Sequence, residues 1–161
     1  MWLGHQLTMS PLQLLALPAH AGLLLSWELT SDQDLRRVRT DLHRLLAPNQ
    51  DQDQDQDQAE HDEVVRSIGL VATELAGNAL RHGLPPIVVR LLGTDDCYII
   101  DVSDHDPQHG PELGGTPQQT RAGGRGLHIA RSLAWQLSWF RTRDVKHVWA
   151  SFRVPPAPPV T

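Results

Sequence analysis

Hydrophobic periodicity divides this chain into an ordered series of elements. Leu23-Leu24-Leu25-Ser26-Trp27-Glu28-Leu29 reads as a first strand, closed by the turn and helix-start signal Thr30-Ser31-Asp32-Gln33-Asp34. Ser31 with Asp34 three residues on has the spacing of a capping box, in which the acidic side chain reaches back to free backbone N–H groups. From there Leu35, Val38, Leu42, Leu45 and Leu46 recur at three and four with arginines between them, the pattern of an amphipathic helix. Pro48 ends that helix. Asp51 to Gln58 then repeats a single dipeptide with nothing to bury. Such a segment cannot repay the entropy of ordering, so residues 48–59 are expected to form a mobile surface loop.

A second helix is expected from about Glu60 to His82, burying Val64, Val65, Ile68, Val71, Leu75 and Ala79, with Gly83 as its stop before Pro85-Pro86. Ile87 to Leu92 and Cys97 to Val102 read as a hairpin turning through Gly93-Thr94-Asp95-Asp96. Ser103 to Gly124, rich in Gly, Pro, Asp and Gln, is the kind of long loop that carries function or stays disordered. A third helix begins near Arg125 and carries Leu127, Ala130, Leu133, Ala134 and Leu137; Ser138 to Thr142 and His147 to Val154 are the last two strands. The order predicts an α+β fold, a two-layer sandwich with helices on one face of a mixed, mostly antiparallel sheet.

Composition narrows the picture. At 161 residues and 40% hydrophobic content the chain suits one domain, assigned to residues 19–155, with 1–18 a poorly ordered or loosely docked extension and 156–161 a tail. A formal charge of −5 argues against a general nucleic-acid binder, which needs a basic face for phosphate. The lone cysteine, Cys97, excludes an intramolecular disulfide and a thiolate zinc cluster, which makes a reducing cytoplasm the default location. No stretch has the roughly twenty apolar residues of a membrane span. Of the fourteen basic residues only one, Lys146, is a lysine.

Candidate chemistry gathers at two places. Glu74 and Asn78 are four apart on one helix and share a face, where polar groups among apolar neighbours are either a solvated pair or a site. A carboxylate beside a carboxamide can hold a divalent cation or polarise a hydroxyl. Gly123-Gly124-Arg125-Gly126-Leu127 opens the third helix, where glycines let backbone N–H groups approach phosphate and the helix start favours negative charge. Asp104, His105, Asp106 and His109 invite a zinc reading, but one acidic, flexible loop without a second cluster is a poor transition-metal site.

With these pieces in order, the chain resembles the ATP-binding domain shared by gyrase, histidine kinases and MutL, the Bergerat or histidine-kinase-like ATPase fold. Within it, the likeness is to the small bacterial proteins of the anti-sigma-factor serine kinase group, over about Leu23 to Val154. Glu74-x-x-x-Asn78-Ala79-x-Arg81-His82-Gly83 resembles the family's asparagine block. The resemblance implies that Asn78 is the ligand of a magnesium ion on the phosphates of ATP, Glu74 the general base, and Arg81 a phosphate-approaching cation.

Asp101-Val102-Ser103-Asp104 resembles the block whose aspartate accepts from the adenine amino group, which gives Asp104 base recognition. A carboxylate can accept from that amine but cannot donate to a guanine carbonyl. Gly124, Arg125, Gly126 and Leu127 resemble the second glycine block, closing a nucleotide lid over 104–124. Two features depart from the pattern. Asp106 and Gln108 stand where the family commonly has glycine. His147 stands where it has a threonine that helps hold the adenine aspartate, and there it either replaces that hydrogen bond or marks a loss of affinity for ATP.

The resemblance implies one of two functions. The first is a Mg-ATP-dependent serine/threonine kinase acting on an anti-sigma-factor antagonist of STAS type, in transcriptional partner switching. The second is a sigma-factor-sequestering module with weak or absent catalysis. Neither needs direct nucleic-acid contact, and the group also admits a homodimer. Arg36, Arg37, Arg39 and Arg44 on the first helix form either a solvated face or a docking face for an acidic protein.

Overall fold

The computed structural model describes residues 12–47, 56–111 and 124–154, with side chains from 58 onward in the second stretch and from 126 onward in the third. Most of the expected 1–18 extension, residues 48–55 of the expected 48–59 loop, most of the lid (112–123) and the 156–161 tail lie outside the described residues. The elements run β1 (Gln13–Leu14), β2 (Gly22–Leu29), α1 (Gln33–Leu46), α2 (Gln56–His82), β3 (Ile87–Gly93), β4 (Cys97–Asp104), α3 (Gly124–Leu133), β5 (Gln136–Arg141) and β6 (Lys146–Arg153). The strands form one sheet in the order β1-β5-β6-β4-β3-β2, parallel at β1/β5 and antiparallel elsewhere.

Strand alternation separates two faces. Val89, Leu91, Ile100, Val102, Val148, Ala150 and Phe152 join Val38, Leu42 and Leu46 of α1, Ile68, Val71, Leu75 and Ala76 of α2, and Leu127 and Ala130 of α3 in the main core. The three helices thus share one face, as the pattern predicts. A smaller cluster of Leu92, Ile99 and Trp149, covered by Leu17, Ala21 and Phe140, lies on the other face.

Packing holds α1 more than capping does. Its N-cap residue, Asp32, makes no side-chain cap bond; instead the Asp34 carboxylate accepts from the backbone N–H groups of Thr30, at 2.8 Å, and Ser31, at 3.2 Å. These bonds, the Thr30 one first, hold the Asp34 carboxyl below the usual carboxylate range. Each buried aliphatic side chain of α1 contributes about 2 kcal/mol, against roughly 1 kcal/mol for a cap. Trp27 of β2 adds a tie, its indole N–H donating to Asp41 at 2.9 Å.

The structure decides one expectation and corrects another. Residues 12–18 are docked: Gln13 and Leu14 pair with Ser138 and Trp139, Leu12 is buried, and the Trp149 indole donates to the Leu15 carbonyl at 2.8 Å. The acidic repeat is not wholly a loop, because α2 begins at Gln56 and takes in its last three residues. Once the amphipathic turns downstream are packed, each added residue costs only its own ordering and gains a helical bond. Cys97 is half-buried at the start of β4, and burial raises its thiol pKa.

Candidate functional site

The last turns of α2, the end of β4 and the start of β6 meet at a small, partly open cavity. Asn78, His82, Asp104 and Lys146 give it polar walls, and Leu75, Val102, Pro111 and Val148 apolar ones. Its volume is about 30 Å³, room for one or two waters. Asp104 is 4% exposed and both carboxylate oxygens are engaged: Oδ1 accepts from the Asp106 N–H at 2.8 Å, and Oδ2 lies 3.4 Å from the Lys146 ammonium. Lys146 also donates to the His109 carbonyl at 2.6 Å. It thereby ties β6 to residues 105–111, which are further fixed where the His105 N–H donates to the Leu84 carbonyl at 2.8 Å.

Two glycines make this assembly geometrically permissible. A Cβ on Gly83 would stand 2.6 Å from Asp104 Cγ and 2.8 Å from the Ala79 carbonyl oxygen, so the end of α2 reaches Asp104 only because position 83 has no side chain. Gly83 stops the helix without entering the left-handed region; its use is close approach. Gly83→Ala is therefore expected to cost about 2 kcal/mol through overpacking, read as a lower urea midpoint, with Asp104 pushed from the cavity wall. An unchanged midpoint would show that the clash is relieved by a slight shift of the helix end.

A Cβ on Gly126 would stand 2.9 Å from Glu74 Oε2. The first turn of α3 thus packs directly on the Glu74 carboxylate, one helical turn along α2 from Asn78.

The expected site residues are therefore distributed unevenly. Asn78 and Asp104 share the cavity. Glu74 is half-buried against the opening of α3 and does not line it. Arg81 is exposed and turned back along α2, its guanidinium 3.2 Å from where a Cβ on Gly77 would sit. Leu127 is a core residue, 2% exposed, so its side chain is structural. Gly124 and Arg125 fall within α3, but the Arg125 side chain is outside the described residues.

His147 is not where the resemblance put it. In β6 the even-numbered residues face the helices, and His147 points from the opposite face, its Nδ1 3.0 Å from Asp101 Oδ1 and its ring stacked on Phe140 at 4.4 Å. The group that meets Asp104 is Lys146, its direct cross-strand partner. Sequence alternation contained the signal: Val148, Ala150 and Phe152 are the apolar positions of this strand, and counting back by two reaches 146.

Asp101 belongs to a second, separate constellation. It is fully buried and accepts from Arg90 Nε at 2.9 Å, from Arg90 Nη2 at 2.6 Å and from His147 Nδ1. Two aspartates three residues apart on one strand thus serve opposite faces of the sheet. Among the described residues, no three His, Cys, Asp or Glu side chains are grouped to hold a metal ion, and no helix is long and apolar enough to cross a membrane.

Comparisons with known proteins agree with this architecture. Among solved structures the chain is similar to the RsbU and RsbW domains of Rv1364c from Mycobacterium tuberculosis, with 19% identity and a TM-score of 0.52. That likeness, one of fold, covers 86% of this chain and 35% of the other, so the chain spans about a third of that structure's length. The comparison with curated proteins gives no match. Residues 30–152, which run from α1 through nearly all of β6 and include every wall of the cavity, match the family described as a histidine kinase-like ATPase domain, and the chain belongs to that family.

Proposed function

We propose that this domain binds Mg-ATP where α2, β4 and β6 converge and acts as a serine/threonine kinase on an anti-sigma-factor antagonist in transcriptional partner switching. The observation that carries this reading is the convergence of Asn78 and Asp104, from two different elements, on one cavity. The donor set suits the ligands. Asp104 offers an acceptor to a base amine. Asn78 offers one neutral oxygen, enough for a magnesium ion that takes its remaining ligands from phosphate and water. Bound there, magnesium would neutralise charge on the phosphates during transfer.

The chain's own contribution is positional. Glu74, half-buried beside the first turn of α3, would orient a serine hydroxyl and take its proton as the oxygen attacks the γ-phosphorus and ADP departs. The backbone amides opening α3 would receive phosphate charge. Transfers of this kind depend on placement and electrostatics more than on covalent help from the protein. Asn78, Asp104 and the α3 amides would bind, and Glu74 would do the proton chemistry.

A second reading, a sequestering module that holds a sigma factor with little or no catalysis, has an observation of its own. The cavity of about 30 Å³ is far smaller than a nucleobase, and Lys146 already occupies Asp104. Calorimetry with ATP, with and without magnesium, separates the two. The kinase reading expects magnesium-dependent binding that Asn78→Ala makes magnesium-independent. It also expects Glu74→Ala to keep ATP and lose phosphate transfer to an antagonist. A protein indifferent to millimolar Mg-ATP would leave the sequestering reading in place.

A further inference from the structure

We infer that Lys146 sets base selectivity, making the cavity accept a guanine nucleotide as well as an adenine nucleotide. The inference rests on the nucleotide-binding reading above and goes further by naming what the base edge must present. A buried carboxylate alone discriminates sharply. It accepts from the amino group of adenine, but it has nothing to offer the carbonyl oxygen of guanine, which would be buried without a donor.

This chain supplies that missing donor. The Lys146 ammonium lies 3.4 Å from Asp104 Oδ2, is 8% exposed, and lines the same cavity. Its ammonium donates to the His109 carbonyl at 2.6 Å and pairs electrostatically with Asp104 at 3.4 Å, which among the described residues leaves N–H capacity for a ligand.

An acceptor and a donor side by side match two ring edges. Adenine presents its amino group next to the N1 lone pair, so Asp104 accepts from the amine and Lys146 donates to N1. Guanine presents N1–H next to its carbonyl, so Asp104 accepts from N1–H and Lys146 donates to the oxygen, with the 2-amino group adding a second N–H toward Asp104. The second arrangement is the more dependent on Lys146, because it buries a carbonyl that takes its charged donor from that ammonium. Either base requires Lys146 to give up part of its tie to residues 105–111, since the free volume holds no ring. The same lysine therefore both fills the empty cavity and reads the base.

The test is competition binding of Mg-ATP and Mg-GTP to the wild-type chain and to Lys146→Met and Lys146→Gln. Wild type is expected to bind GTP within about tenfold of ATP. Lys146→Met, which keeps the length and loses the donor, should lower the GTP-to-ATP affinity ratio at least tenfold. Lys146→Gln, which keeps an N–H donor, should restore part of that ratio. General loosening of the site would weaken both nucleotides together and leave the ratio unmoved.

Lysine chemistry gives a reading that needs no variant. Lys146 is the chain's sole lysine, so amine acetylation followed by mass analysis reports on this side chain and the amino terminus alone, and both nucleotides should protect it. Wild type that binds ATP but rejects GTP by a hundredfold or more, or a ratio unchanged in Lys146→Met, overturns the inference and spares the nucleotide-binding reading. Wild type that binds neither nucleotide overturns both.

Discussion

Arg90→Met should destabilise the domain by about 3 kcal/mol, because it leaves the Asp101 carboxylate fully buried with only the His147 imidazole to meet it. For a chain of this size that is a fall of roughly 10 °C in melting temperature. The removed side chain makes two hydrogen bonds to one carboxylate oxygen, at 2.9 and 2.6 Å, and methionine of similar length restores neither. Arg90 is 30% exposed, so solvent screens its end of the pair; the cost arises almost wholly from the stranded acid. Urea titration at neutral pH measures it. A loss under 1 kcal/mol would mean that water reaches Asp101 once the guanidinium is gone.

Asp104→Ala is expected to leave the sheet intact and to weaken nucleotide binding about a hundredfold, for adenine and guanine alike. In the proposed binding mode its carboxylate is the acceptor for either base, and one hydrogen bond to a charged group is worth about 1.5–3 kcal/mol. The substitution leaves Lys146 buried with the His109 carbonyl as its remaining partner, so Asp104→Ala/Lys146→Met serves as a companion that removes both charges. Calorimetry gives the affinity and circular dichroism the fold. Retention of full affinity in the double variant would place base recognition elsewhere. The two substitutions should thus separate cleanly: position 90 changes stability through the outer face, and position 104 changes binding through the helix face.

Much of the fold was legible because its strongest signals are local. Periodicity in α1 and α2 comes from residues three and four apart, and Val38, Leu42, Leu46, Ile68, Val71 and Leu75 are all buried as that spacing requires. The hairpin from β3 to β4 follows from two apolar runs and a polar turn. What escaped is non-local. Gln13 and Leu14 carry no strand signature of their own and become a strand only because β5 offers an open edge more than a hundred residues later. The start of α2 inside the acidic repeat is set by packing further along that helix.

The candidate site divides in the same way. Asn78, Asp104 and Gly126 were legible from the residues and the resemblance they carry, and the structure brings the first two to one cavity and sets the third against Glu74. His147 lies outside the cavity because the pleat, not the place in the family pattern, decides which neighbour looks inward. Leu127 goes to the core for a related reason: an apolar side chain in a glycine-rich helix start packs inward, whatever the backbone amides beside it bind. Asp101 gave no signal as a buried acid, since its partners stand eleven positions before it and forty-six after it.

Both border strands of the sheet, β1 and β2, come from the first thirty residues, whereas the family match begins at residue 30. A fragment trimmed to the family limits would keep the cavity but lose one strand from each side. The backbone N–H and C=O groups of β3 and β5 would then stand open along their lengths, beside the apolar rows that Trp27, Leu29 and Leu12 now cover. Raw margins of that kind recruit strands from neighbouring molecules. The smallest piece of this protein that stays monodisperse should therefore start no later than Leu12.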